Sequence, residues 1–439
     1  MYQEKWGRVF SQVSPEIKIS AYSTKTNNMA GGLMQLVAYG AQDVYLTGNP
    51  KVTFFQAVYK RHTNFAMENI EQTVNGTATS AGRVSVTVAR NGDLIADMYL
   101  ELTTNSATAI TTDMDAWHAE RAIATAELSI GGQRIDKHYQ KWWRLYAELY
   151  LDGGKKINYG KMSSARVKGN TCFLPLIFFF NRNPGLALPL IALQYHEVRI
   201  DFDLSSVYDT NFDSFKVWGN YIYLDTEERR RFAQKGHEYL IEQVQHTGAD
   251  SLAAAGSTKQ IRLSYNHPVK ELVWCATEAT GVTGDANQLW NFTDTAITVS
   301  SLMSADVDSN VSVSPGAAGA PVLIGDVQFD EETSGPLSSF KLVLNGQDRF
   351  KEQGGKYFNS VQPFVHHTAS PMPGIYSYSF ALKPEEHQPT GTCNFSRIDN
   401  AQVSIMTKSG SDKTTLNMFA TNYNVLRIQS GMGGLAFSN

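Results

Sequence analysis

A chain of 439 residues is long enough for two domains with separate hydrophobic cores. Hydrophobic residues make up 42% and charged residues 18%, as in a globular protein, and the net charge of −4 excludes the overall basic field typical of nucleic-acid binding. Three widely separated cysteines exclude a disulfide framework, and no apolar run reaches the roughly 18 residues of a membrane-spanning helix.

The amino-terminal region carries no strong pattern. Residues 1–28 are polar and aperiodic, which favours a flexible arm or an extension from an upstream start. We predict that residues 1–54 form an amino-terminal arm and that residues 1–28 add nothing to either core.

From Thr63 the pattern changes to strands. Polar and apolar residues alternate over Arg83–Val88, and Asn91-Gly92 is the residue pair that a tight type I′ turn prefers. The sequence therefore predicts a hairpin in which residues 83–88 pair with residues 93–102.

Further along the chain, residues 124–130 read as a strand that ends at Gly131-Gly132, and residues 139–151 read as a short amphipathic helix. Residues 153–170 read as a loop, and residues 137–170 are rich in lysine and arginine. These lysines and arginines do not alternate with aromatic residues on which nucleobases could stack. The pattern therefore favours a solvent-exposed face over a nucleic-acid site.

An internal repeat links the two halves of the chain. Residues 128–133 (Leu-Ser-Ile-Gly-Gly-Gln) resemble residues 342–347 (Leu-Val-Leu-Asn-Gly-Gln), a shift of 214 positions, which is 342 minus 128. Both copies end a strand at a turn and lead into an aromatic segment. Together with the many short strands, the repeat predicts an all-β fold of two consecutive eight-stranded jelly rolls, with short helices in their loops.

A charged segment, residues 225–236, lies between the two halves. Asp225 and Glu228 have capping-box spacing, arginines follow the acids, and Gly236 can take a left-handed position beyond the helix end. We interpret it as a connector helix over 226–236, with jelly rolls at 55–225 and 237–439. The alternative is a helix that covers one sheet edge.

The second half contains a compositional break. Residues 271–340 include no lysine or arginine but ten acids, and residues 276–325 are rich in small polar residues. We predict a long insertion at 276–325 that lies at the outer surface. Asn-x-Ser/Thr acceptors for glycans occur at Asn291 and Asn310 in this stretch, and at Asn75 and Asn394 elsewhere.

The sequence contains only weak signals for a catalytic site or a metal site. The adjacent pair His366-His367 lacks the spacing that places two ligands on one face of a helix or strand, and no nucleophile elbow or phosphate loop occurs. The sequence therefore predicts no enzyme, no metal site and no cofactor.

Several long motifs, taken together, resemble one protein family. They lie at residues 29–33, 35–43, 45–50, 54–55, 63–65, 90–94, 224–233, 391–400 and 420–428. These segments are similar to the major capsid proteins of nucleo-cytoplasmic large DNA viruses, in particular those of phycodnaviruses, including chloroviruses. Two departures are that family members typically begin at the position of Met29, and that residues 276–325 match no family motif.

The resemblance implies a double jelly roll whose homotrimer forms a pseudo-hexagonal capsomer of an icosahedral shell, in virions assembled in the host cytoplasm. The implied partners are other copies of the chain, minor capsid proteins and attached glycans, with the segment after Met29 near an inner viral membrane and with no direct nucleic-acid contact. The alternatives are a carbohydrate-binding or carbohydrate-active jelly-roll protein and a minor capsid paralogue.

Overall fold

The computed structural model describes residues 31–78, 80–104, 117–164, 170–206, 212–277, 290, 292–293 and 335–437. The chain divides into two units, residues 1–62 and residues 63–439. In the first unit, helices α1 (Gly31–Val37) and α2 (Val44–Thr47) are described. The expectation for residues 1–28 lies outside the described residues.

The first jelly roll occupies residues 65–224 and consists of two five-stranded antiparallel sheets among the described residues. One sheet has the order β1-β10-β4-β7, with β8 beside β4, and the other has the order β2-β3-β9-β5-β6. The strands are β1 (Phe65–Gln72), β2 (Val74–Asn75), β3 (Arg83–Thr87), β4 (Leu94–Thr104), β5 (Ile123–Ile130), β6 (Gln133–Tyr139), β7 (Thr171–Pro175), β8 (Leu188–Pro189), β9 (Val198–Leu204) and β10 (Phe212–Leu224). The helices in its loops are α3 (His118–Ala122), α4 (Gln140–Tyr150), α5 (Gly153–Ser163) and α6 (Phe179–Arg182).

Helix α7 (Thr226–Gln234) leads into the second jelly roll, residues 237–435. Its described sheets have the orders β11-β19-β13-β16, with β17 beside β13 and β20 beside β19, and β12-β18-β14-β15. The strands are β11 (His237–Ser251), β12 (Thr258–Leu263), β13 (Pro268–Thr277), β14 (Leu337–Leu344), β15 (Gln347–Asp348), β16 (Ile375–Ser379), β17 (Cys393–Asn394), β18 (Ala401–Thr407), β19 (Thr415–Gln429) and β20 (Met432–Leu435). A helical segment, Tyr357–Val361, continues into α8 (Gln362–His366).

The two jelly rolls share the same topology, except that β2 in the first and β20 in the second have no counterpart among the described strands. In one sheet of each jelly roll, the order β1-β10-β4-β7 corresponds to the order β11-β19-β13-β16. The pairing of β4 with β10 and the pairing of β13 with β19 each contain a register shift at the same point. It follows the pair Ile95–Tyr221 in the first sheet and the pair Val269–Asn422 in the second. The prediction of a double jelly roll is therefore confirmed.

The repeated motif found in the sequence lies at equivalent hairpins. Gly131 and Gly132 have φ of +58° and +81° between β5 and β6, and Asn345 and Gly346 have φ of 50° and +79° between β14 and β15. Left-handed backbone at both central positions is the requirement of a type I′ turn, which explains the residue choice.

One sheet is buried on both faces. Along β13, Leu272 and Trp274 point into the core of the second jelly roll, whereas Val273 and Cys275 point into a core that is continuous with the first jelly roll. Side chains alternate across a strand, so a strand covered on both faces reads as a continuous apolar run. This sheet joins the two jelly rolls.

The predicted hairpin at Asn91-Gly92 is wrong. β3 pairs with β9, and β4 pairs with β10, so the two strands lie in opposite sheets. Neither Asn91 nor Gly92 has a positive φ. The glycine is needed instead for close approach, because a Cβ on Gly92 would lie 2.9 Å from the Cβ of Tyr221.

Three further expectations also need correction. Asp225 caps α7 through a bond from the Thr226 amide at 2.8 Å, but Lys235 ends the helix in extended conformation and Gly236 is not left-handed. Residues 153–163 form α5 rather than a loop, because Asp152 caps the helix by accepting from the Lys155 amide. Strand β13 extends to Thr277, and most of the predicted insertion lies outside the described residues.

We expect Gly92→Ala to destabilise the fold by about 1–3 kcal/mol, because the added methyl group overlaps Tyr221. Gly153→Ala is the matched control, since no atom lies within 4 Å of its added Cβ. Thermal unfolding checks both variants, and equal midpoints would contradict the close-approach explanation.

Candidate functional site

The jelly rolls meet where α4 and α6 of the first pack on the outer face of the β11-β19-β13-β16 sheet of the second. The aromatic face of α4 provides much of this contact. The ring of Trp142 lies 5.6 Å from that of Phe419, and Tyr139, just before the helix, lies 4.9 Å from His246. The predicted amphipathic helix is therefore the element that holds the domains together.

A buried cluster of ions crosses this interface. Arg182 of α6 lies 3.0 Å from Glu242 of β11, and the Lys270 ammonium lies 2.7 Å from the same carboxylate. Lys270 also donates to the Pro384 carbonyl at 2.7 Å. Although burial disfavours the carboxylate, Arg182 and Lys270 hold the pKa of Glu242 well below its usual range. Glu242 is therefore ionised, and it links two cations from different domains.

Next to this cluster, His367 lies between two carboxylates. Its Nε2 lies 2.5 Å from Glu271, and its Nδ1 lies 3.2 Å from Glu385. Only the imidazolium donates at both ring nitrogens, so this geometry requires the protonated form. Burial opposes that charge, but Glu271 and Glu385 raise the pKa of His367 to about 9. The hydroxyl of Tyr150, at the end of α4, donates to Glu271 and connects this pair to the first jelly roll.

A second buried ionic cluster holds α4 in position. Arg144 of α4 lies 3.4 Å from Glu120 of α3 and 3.1 Å from Glu148. Burial raises the pKa of Glu120 to about 7, against the opposing effect of Arg144. Lys156 of α5 binds Glu148 at 3.0 Å and reaches across to the Ser370 carbonyl of the second jelly roll at 2.7 Å. Contacts within the first jelly roll therefore hold α3, α4 and α5 together, and Lys156 also binds the second jelly roll.

Backbone contacts complete the junction at the ends of the sheets. The Val244 amide donates to Asp136 at 3.0 Å, and the Leu435 amide donates to Gln133 at 3.1 Å. His196 approaches the carbonyl of Gly433 at 2.8 Å. The final strand, β20, is thus attached to the first jelly roll.

The glycan acceptors predicted from the sequence do not belong to the described part of this interface. Asn75 and Asn394 are exposed, and the Asn394 side chain accepts from the Ser396 amide at 3.0 Å. Asn291 and Asn310 lie outside the described residues. Sequence reasoning missed the ionic cluster, although Lys270-Glu271 inside an apolar strand was an available signal, because buried charges need partners.

A groove of about 780 Å³ beneath α7 is the other notable concavity. Its lining groups already bind one another: Phe232 stacks on His237 at 5.2 Å, and Arg427 lies 2.8 Å from Glu238. It lacks a free aromatic floor of the kind that stacks on sugars. In the described ranges, no three His, Cys, Asp or Glu side chains group as metal ligands, and no helix is long and apolar enough to cross a membrane.

We expect His367→Gln to destabilise the protein by about 3 kcal/mol at pH 7, because the buried carboxylate of Glu271 and the partly buried carboxylate of Glu385 lose their cation. The folded pKa of about 9 exceeds the usual 6.5, so the contribution of His367 is complete below pH 6.5 and is lost as the pH rises through 9. The difference in thermal midpoint between wild type and variant should therefore shrink from pH 7 to pH 10.

His366→Gln is the control for this experiment, because His366 contacts only the Leu382 carbonyl in a more exposed position. Its midpoint should follow wild type at every pH. A pH-independent deficit in His367→Gln would show that the imidazolium is not the stabilising form.

Comparison with known proteins identifies the family. Residues 53–225 match a family model described as the major capsid protein N-terminus, and residues 228–434 match one described as the large eukaryotic DNA virus major capsid protein. The major capsid protein of Paramecium bursaria Chlorella virus 1 is 44% identical, over 94% of this chain and 100% of its own length. That of Pyramimonas orientalis virus is 43% identical, over 94% of this chain and 100% of the relative.

Solved structures agree with these sequence matches. A quasi-atomic model of the PBCV-1 capsid aligns with a TM-score of 0.74 at 39% identity, covering 88% of this chain and 100% of that one. The Faustovirus major capsid protein aligns with a TM-score of 0.66 at 13% identity, covering 91% and 96%, and supports the fold alone. The resemblance predicted from the sequence is thus confirmed, and the chain belongs to the major capsid protein family of large eukaryotic DNA viruses, as a structural component of the virion rather than an enzyme.

Proposed function

We propose that three copies of the chain form a pseudo-hexagonal capsomer that tiles an icosahedral shell. The observation that carries this proposal is the shared strand order of the two jelly rolls in one chain. Three such pairs contribute six similar domains, and a ring of six similar domains has nearly sixfold edges. Head-to-tail contacts of this kind close a ring when the rotation between copies fits.

Rigidity of the pair supports the same proposal. A shell unit must keep a fixed outline while its neighbours pack against it, so the two domains of each chain must not rotate. The shared core and the buried ions Arg182, Glu242 and Lys270 oppose such rotation. Rotation of the domains would break these ion pairs and leave charges without partners in partly apolar surroundings.

The finer assignments follow the family resemblance. We infer that the segment after Met29 faces inward, near minor capsid proteins and an inner viral membrane, and that assembly occurs in the host cytoplasm. The net charge of −4 supports a role without direct genome contact.

We expect the full chain to purify as a particle of about three times 48.6 kDa with a hexagonal outline. Light scattering gives the mass, and electron microscopy of negatively stained particles gives the outline. A stable monomer at micromolar concentration would contradict the capsomer.

We also propose that residues 276–325 lie on the outside of the particle and that glycans attach at exposed acceptors. The absence of lysine and arginine from 271–340 makes this stretch a poor partner for phosphate, which favours the outer side. Asn75 and Asn394 are exposed acceptors, and Asn291 and Asn310 lie within the acidic stretch.

Brief proteolysis of intact particles should therefore release peptides from 276–325 first, and mass spectrometry of those peptides should detect glycan mass at Asn291 or Asn310. Disrupted particles serve as the control. If these peptides appear only after disruption, the stretch is not on the outside.

A further inference from the structure

The second jelly roll carries a counterpart of α4 whose inner side packs on its own core and whose outer side is exposed among the described residues. The segment Tyr357–His366, here named the leading segment, follows hairpin β14-β15 as α4 follows hairpin β5-β6. Phe364 is 88% exposed and Val365 is 61% exposed, and Val361 is also exposed. Three neighbouring apolar side chains in water indicate an interaction surface.

The first jelly roll carries the matching surface. The outer face of the β1-β10-β4-β7 sheet corresponds to the face that α4 covers in the second jelly roll. Tyr99 and Trp218 lie half-buried on it as a cross-strand pair, and Asp97 is exposed beside them. Their counterparts, Val273 and Phe419, form the same cross-strand pair and are completely buried against the first jelly roll.

The shared irregularity fixes the correspondence residue by residue. Ile95 and Val269 are the last paired residues before this register shift in β4 and β13. Equivalent residues of the two strands are therefore 174 positions apart in the sequence, which is 269 minus 95. The pairing of β8 with β4 and of β17 with β13 gives the same correspondence, since Ile95 pairs with Leu188 and Val269 pairs with Cys393. Asp97 is therefore the counterpart of Glu271.

We propose that the leading segment of one copy packs on the outer face of the β1-β10-β4-β7 sheet of a second copy, as α4 packs on the equivalent sheet within the chain. This inference rests on the proposed trimer and names the surfaces that form it. Each copy has one leading segment on the second jelly roll and, among the described residues, one uncovered sheet face on the first, so the contact repeats head to tail.

The repeat also assigns one contact between the copies. Within the chain, Tyr150 at the end of α4 contacts Glu271. The shift of 214 residues places Phe364 at the position of Tyr150, and the shift of 174 places Asp97 at the position of Glu271. Phe364 of one copy therefore lies against Asp97 of the next.

The charges on the two surfaces are compatible with this contact. The sheet face carries Asp97, Glu101 and Glu71, with Lys216 at 3.9 Å from Glu101, and the leading segment begins next to Lys356. The contact between the two jelly rolls inside the chain has a similar pairing of charges, because Arg182 of helix α6 binds Glu242 of the sheet.

The test is a charge exchange at the assigned contact. Phe364→Asp faces Asp97 and should raise the concentration at which the trimer half dissociates by about tenfold or more. Combining Phe364→Asp with Asp97→Lys should recover at least about threefold of that loss, because the two charges then attract. The trimer of the Phe364→Lys variant should dissociate less readily than that of the Phe364→Asp variant, because lysine attracts Asp97 and aspartate repels it. Tyr195→Asp, at another exposed aromatic residue, is the control and should leave the trimer unchanged.

Cross-linking provides a second measurement that does not depend on dissociation. In a Cys393→Ser background, Phe364→Cys with Asp97→Cys should give covalent trimers with a short bis-maleimide, and neither single variant should do so. The remaining cysteines, Cys172 and Cys275, are buried. A wild-type chain that is not trimeric would refute the capsomer itself, whereas an intact trimer without cross-links and without charge rescue would overturn only the assigned surfaces.

Discussion

Burial of one β-sheet on both faces is the constraint on which the rest of the structure depends. The β11-β19-β13-β16 sheet faces its own core on one side and the first jelly roll on the other. The charges in the covered part of this sheet are removed from water, and an unpaired buried ion costs several kcal/mol. Glu242, Lys270 and Glu271 are therefore bound by groups from both domains, and the domains take a fixed relative position.

Contacts inside the first jelly roll support the surface that meets the second domain. Arg144 joins α3 and α4 through Glu120, and its guanidinium lies 3.8 Å from the ring of Trp117. These contacts are internal to the first domain, so α4 presents a rigid aromatic face. A rigid surface loses little conformational entropy when the domains pack together. More of the free energy gained by burying apolar area therefore contributes to the stability of the folded chain.

The sequence predicted what depends on local pattern. The repeated turn motifs, the amphipathic α4 and the capped α7 are short-range signals, and they led to the duplicated all-β fold. The predicted hairpin at Asn91-Gly92 failed because the sheet that a strand joins depends on distant partners, and glycine serves close packing as well as turns. The partners of His367 were equally hidden, since Glu271 lies 96 residues away and Tyr150 belongs to the other domain.

The attachment of late strands to early helices has a consequence for biosynthesis. α4 ends at Tyr150, but β19, which covers it, begins at Thr415, 265 residues later (415 minus 150). At ribosomal rates of about 5–20 residues per second, the face carrying Trp142 stays in contact with solvent for roughly 10–50 s in each nascent chain. The aromatic face of α4 therefore lacks this partner strand until the chain is nearly complete.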